Sequence, residues 1–173
     1  EIGVESTILD MTVTPPMILR PGAVTREMLE ELIGEVAVDQ TLLKADSRTA
    51  PKAPGMKYRH YAPKANLVVV EGEVEKVTAW IRETAATKQQ EGKRVGIIAT
   101  EETKESYPDG DVKVAGTRAD EATIASSLYG ILREFDGDGV DEIYSEAFAS
   151  GGIGAAVMNR LLKAAGHQVI RIT

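Results

Sequence analysis

The sequence predicts an α/β protein, a Rossmann-like three-layer domain with a mainly parallel sheet, preceded by an irregular stretch and a short strand-rich piece. Three observations carry that reading. After Asn66, short apolar runs of strand length alternate with longer segments whose apolar residues recur at helical spacing. The runs 67–70 and 95–99 contain no polar side chain, as strands buried on both faces do not. Between Asp39 and Asn66 no period survives, and Pro51, Pro54, Gly55 and Pro63 break the stretch into a linker or long ordered loop.

In chain order, residues 2–9 read as a strand because Val4, Thr7 and Ile8 are β-branched, and 17–20 as a second strand after the Pro15-Pro16 break. Thr25 can cap a helix reaching Ile33, with Met28, Leu29, Leu32 and Ile33 on one face and Gly34 as its stop. Residues 35–38 resemble another short strand. A piece of roughly 38 residues cannot bury enough apolar surface to be stable alone. Its opening, Glu1-Ile2-Gly3-Val4, has no initiator Met and reads like the middle of a strand. A partner for it is expected upstream.

In the second part, 67–70 is the first strand and 73–90 a helix with Val74, Val77, Ile81 and Ala85 at helical spacing. Strands follow at 95–99 and 112–115. Thr117 and Asp120 mark the start of a helix that turns Ile124, Leu128, Ile131, Leu132 and Phe135 to one side. A fourth strand at 142–145, a helix at 153–165 with Val157, Met158, Leu161 and Leu162 inward, a stop at Gly166 and a last strand at 168–172 complete the pattern. Trp80 falls on the first of these helices, where partial burial is the default.

Composition narrows the chemistry. Cysteine is absent, which excludes disulfides and thiolate catalysis and fits a cytoplasmic protein. His60 and His167 lie too far apart in sequence for a histidine-rich zinc site. No apolar run nears the roughly 18 residues of a membrane span. A net charge of −7 argues against a surface that coats nucleic acid, and so against direct tRNA binding. The charge is unevenly spread, however. Lys44, Arg48, Lys52, Lys57, Arg59 and Lys64 face Asp46 alone between residues 44 and 66, which points to a particular anionic partner.

Two constellations hold the chemistry. Gly3-Val4-Glu5-Ser6-Thr7-Ile8-Leu9-Asp10 and Ile18-Leu19-Arg20-Pro21-Gly22 pair a strand hydroxyl with a planar cation, and Gly22 precedes a helix start that favours anions. In Pro54-Gly55-Met56-Lys57-Tyr58-Arg59-His60-Tyr61-Ala62-Pro63 cations alternate with rings, so phosphates can be neutralised and a base stacked. A basic linker whose tyrosines cover a domain junction has the same composition.

These stretches, in this order and spacing, resemble the end of the catalytic domain and the linker of the two-domain threonylcarbamoyl-AMP synthases. Glu146-Ala147-Phe148-Ala149-Ser150-Gly151-Gly152-Ile153-Gly154 and the helix after it are similar to the end of that family's second domain. The resemblance implies three parts: residues 1–45 end a YrdC-like α/β catalytic domain, 46–66 form a basic aromatic lid, and 67–173 form the accessory domain. It implies a nucleotidyltransferase that makes threonylcarbamoyl-AMP and pyrophosphate from L-threonine, bicarbonate and ATP with Mg2+, whose ligands would lie outside this chain. Other proteins would then modify adenosine 37 of tRNA. It places Ser6 against L-threonine and Arg20 and Tyr61 against ATP, with Lys57, Arg59 and His60 as weaker candidates. No side chain of the chain is implied as a nucleophile, and the fragment alone is expected to be inactive.

Two further motifs have plain readings. Ser150-Gly151-Gly152-Ile153-Gly154 reads first as a structural turn and second as an anion or domain-contact site, since it lacks the P-loop Lys. Asn159 and Arg160 read as capping or bridging residues. Asp136-Gly137-Asp138-Gly139 lacks EF-hand spacing and reads as a helix end. Two other functions remain open from the residues alone. One is a non-catalytic nucleotide-binding or assembly module formed by residues 67–173. The other is an RNA-binding segment built on the basic stretch.

Overall fold

The computed structural model describes residues 3–43 and 62–173. In the first stretch, β1 (Ile8–Asp10) runs antiparallel to β2 (Met17–Arg20). α1 (Arg26–Ile33) follows, with the Thr25 hydroxyl accepting from the Met28 N–H at 3.3 Å and Gly34 ending the helix. β3 (Ala37–Val38) then returns parallel to β2. The long first strand expected over 2–9 shrinks to Ile8–Asp10. Its upstream backbone is diverted: the Glu5 carbonyl accepts from the Ala23 N–H at 3.2 Å, and the Ser6 carbonyl accepts from the Arg20 side chain. β-branched residues favoured a ladder there, but tertiary partners took its acceptors.

The apolar face predicted for α1 exists, yet nothing among the described residues covers it. No residue of α1 is buried, and Leu32 is 82% exposed.

From residue 62 onward the alternation folds as expected. β4 (Asn66–Glu71), α2 (Val74–Gln90), β5 (Val95–Ala99), β6 (Asp111–Val114), α3 (Glu121–Asp138), β7 (Glu142–Glu146), α4 (Gly154–Ala164) and β8 (Val169–Arg171) follow one another. The five strands make one all-parallel sheet in the order β6-β5-β7-β4-β8. Strand alternation divides the core in two. Leu67, Val69 and Ile143 pack with α3 and α4 on one face; Val68, Val70 and Ile97 pack with α2 on the other. This is the three-layer arrangement the apolar runs predicted. Trp80 is half-buried, edge-on to Tyr144 at 5.9 Å between ring centroids.

Helix ends follow local chemistry. Asp120 caps α3 through the Ala122 N–H, and the left-handed Gly139 closes it, so the 136–139 motif is a helix terminus as expected. Its acids are engaged: Asp136 accepts from the Lys64 N–H at 2.7 Å, and Asp138 pairs with Lys113 at 2.8 Å.

Among the described residues, no helix is long and apolar enough to cross a membrane.

Candidate functional site

A register shift between Ile8 and Leu9 sets Arg20 opposite Ile8 at the end of the β1–β2 pair. Bulges of this sort re-aim side chains. From there the Arg20 guanidinium turns back onto Ser6, with Nε donating to the Ser6 carbonyl at 3.0 Å and Nη2 to its Oγ at 2.9 Å. The two residues predicted to share a site are therefore in direct contact. Because Ser6 Oγ accepts from Arg20, its own proton is left to donate outward. Ser6 is exposed, whereas the Arg20 side chain is 15% exposed. Gly22 is required by the close approach of this turn: a Cβ there would collide with the Glu5 carbonyl and the Thr7 nitrogen.

Charge accumulates behind the pair. Glu5 Oε1 lies 3.8 Å from Arg20 Nη1, and its Oε2 lies 3.6 Å from Lys163 Nζ on α4. The Lys163 side chain is 4% exposed, and its ammonium makes no hydrogen bond among the described residues. Burial pushes its pKa down; Glu5 opposes that shift and Arg20 adds to it. One turn earlier, Arg160 donates to the Gly3 carbonyl and stacks over Tyr129 at 4.9 Å. Gly3 adopts φ +69°, and a Cβ on it would collide with the Ala125 carbonyl of α3. The Ser6-bearing segment is thus pressed onto α3 and α4. Arg160 acts as the bridge that its sequence position implied.

A second polar cluster lies where β5 and β7 end side by side. The chain leaves β5 toward β6 and leaves β7 toward β8, in opposite directions, which is the crevice position of open parallel sheets. Glu146, fully buried, accepts from Thr103 Oγ1 and Tyr107 Oη at 2.6 Å each and from Arg118 Nη2 at 2.5 Å. Burial, reinforced by the Glu146 charge, pushes the Tyr107 pKa well up. The Glu146 carboxylate is satisfied within the cluster, while the buried Arg118 Nε has no hydrogen-bond partner among the described residues, and the cluster reads as a structural lock.

The 150–154 loop is similarly occupied. Gly154 N–H donates to Glu121 at 3.0 Å. A carboxylate of the chain thus stands where an anion could have bound.

Tyr61, Lys57, Arg59 and His60 lie outside the described residues. Among the described residues no group of three or more His, Cys, Asp or Glu side chains is placed to hold a metal ion. Sequence reasoning missed Glu5 and Lys163. Lys163 looks like any solvated helix lysine, and its partner lies at the other end of the chain.

Comparison with known proteins places this geometry. The family described as "Threonylcarbamoyl-AMP synthase, C-terminal domain" matches residues 24–166. A Bacillus subtilis threonylcarbamoyl-AMP synthase is 47% identical over 98% of this chain, which covers 47% of that relative. One from Pyrococcus abyssi is 45% identical over 99% of the chain and 48% of the relative. The chain thus spans about half the length of the curated relatives it matches. The crystal structure of P. abyssi Sua5 complexed with L-threonine superposes with a TM-score of 0.86 at 42% identity, covering 99% of this chain and 48% of that one. The C-terminal Sua5 domain from Pyrococcus horikoshii matches with a TM-score of 0.52 at 34% identity; 64% of this chain spans all of that one.

Proposed function

Since this chain belongs to the threonylcarbamoyl-AMP synthase family, we propose that it is the carboxy-terminal half of a cytoplasmic enzyme that activates L-threonine for tRNA modification. The reaction converts L-threonine, bicarbonate and ATP into threonylcarbamoyl-AMP, pyrophosphate and water. Residues 1–45 end the catalytic domain, 46–66 form its lid and 67–173 form the accessory domain. Two observations support this division. The P. horikoshii domain matches 64% of this chain, close to the share that residues 67–173 make up. The large exposed apolar side chains among the described residues all fall between Met11 and Ile33, where an upstream half would cover them.

The chemistry asks little of a nucleophilic side chain. A threonine carbamate oxygen attacks the α-phosphorus, a P–O bond forms, and the bond to pyrophosphate breaks. Negative charge on the phosphoryl oxygens must be met by fixed donors. Arg20 supplies a permanent cation, and the outward Ser6 hydroxyl supplies a donor for the threonine carboxylate. Tyr61, with Lys57, Arg59 and His60 beside it, would close over ATP and keep water from the labile carbamate. Magnesium would lower the charge on the triphosphate. The described residues offer no ligand cluster for it, so no step here runs through the metal.

The observation that carries this reading is the Arg20 fork on Ser6, two adjacent anion donors at an exposed edge. In a chain extended upstream to the length of its relatives, Arg20→Ala should lower kcat/KM for pyrophosphate release about a hundredfold. Ser6→Ala should raise the KM for threonine about tenfold. Unchanged kinetics in both variants would remove Ser6 and Arg20 from the site.

A further inference from the structure

The contact between Glu5 and its two cations has a physical peculiarity. A lone carboxylate beside an arginine ordinarily closes into a tight bidentate pair. Here Glu5 lies between the two cations, 3.8 Å from Arg20 Nη1 and 3.6 Å from Lys163 Nζ, beyond hydrogen-bond length to either. Burying an ammonium is costly unless it is paired and hydrogen-bonded. Lys163 nevertheless sits at 4% exposure on a helix that otherwise packs the accessory core with Val157 and Leu161. Glu5 shared between two cations leaves the triad with a net charge of +1. Arg20 is the member whose guanidinium donates to Ser6.

We propose that Lys163, a residue of the accessory domain, is a positioning residue for the anion site: by sharing Glu5, it keeps Arg20 directed at Ser6 and free to meet an anionic ligand. Without Lys163, Glu5 closes onto Arg20, neutralises it and draws the guanidinium off Ser6. The accessory domain therefore tunes the charge of the catalytic edge as well as supporting it. That consequence rests on the function proposed above; the positioning of Arg20 does not.

The test has two arms. In the 173-residue chain, proton exchange at Arg20 Nε reports its bond to the Ser6 carbonyl by NMR. Slow exchange in the wild type and exchange at least about tenfold faster in Lys163→Met is the expected result. Equal rates overturn the proposal. In the upstream-extended chain, Lys163→Met should weaken threonine binding about tenfold by calorimetry, and adding Glu5→Gln should restore it, because a neutral side chain cannot capture Arg20. Leu161→Ala, a core change on the same helix that removes no charge or hydrogen-bonding group, should lower the Tm and leave Kd unchanged. Failure of Glu5→Gln to restore binding, or an equal loss of affinity in Leu161→Ala, reduces Lys163 to a structural residue and overturns the proposal. If the wild-type extended chain does not bind threonine, the proposed function fails, and the exchange arm still decides the role of Lys163.

Discussion

The two described stretches treat apolar surface in opposite ways. Residues 62–173 close two cores, one on each face of a parallel sheet, and contribute none of the large exposed apolar side chains among the described residues. Residues 3–43 bury Ile18, Leu19 and Val36 but leave Met11, Val13, Val24, Met28, Leu32 and Ile33 open. The first stretch has the sequence pattern of a core-facing element without the core. The Ser6–Arg20 pair sits on this unfinished stretch, and its anchors come from the finished one through Arg160 and Lys163. The second stretch is thus a self-contained support, while the first has described partners on one side and open apolar surface elsewhere.

Substitutions can break or sharpen that contrast. The largest effect is expected in the finished core. Phe135 is 1% exposed with its ring against Gly96, so Phe135→Ala should cost about 3–5 kcal/mol in urea unfolding. A loss below about 1 kcal/mol would mean that this region is no tighter than the first.

A smaller effect lies on the alkaline side. The raised pKa of Tyr107 means that the folded state keeps a proton that an unfolded tyrosine loses near pH 10. Stability from this group is complete below pH 10 and falls as pH rises above it. Tyr107→Phe should flatten that limb of a pH–stability curve, while Tyr144, raised by burial and by Glu142, keeps part of the slope. An unchanged slope would show that the Glu146 cluster is open to water.

The smallest effect is the most telling. Leu32→Glu should change the stability of the 173-residue chain by no more than about 0.5 kcal/mol, since the side chain is 82% exposed. In an upstream-extended chain the same change should cost about 2 kcal/mol or more, because a charge would then be buried. Equal costs in both chains would remove the argument that this face awaits the upstream half.

Most of the second stretch was legible from sequence because burial on both faces writes uninterrupted apolar runs, such as 67–70, that no surface segment imitates. The first stretch was legible in kind but not in extent. Val4, Thr7 and Ile8 read as a ladder, whereas the Glu5 and Ser6 carbonyls are taken by the Ala23 N–H and the Arg20 side chain. Ser6 and Arg20 were reachable because their flanking motifs resemble a family. Lys163 and Glu146 were not. Polarity marks both as surface residues, and their burial depends on partners brought in from distant loops: Glu5 for the one, Thr103, Tyr107 and Arg118 for the other.

The most direct check on the central claim, that Ser6 and Arg20 form one wall of a site completed from upstream, is titration calorimetry with L-threonine and ATP. It compares the 173-residue chain, an upstream-extended chain and the Arg20→Ala variant of the latter. The account predicts binding by the extended chain, none by the 173-residue chain, and ATP affinity weakened at least about tenfold by Arg20→Ala. Equal affinity in the short and long chains, or an Arg20→Ala variant that binds ATP like the wild type, would contradict it.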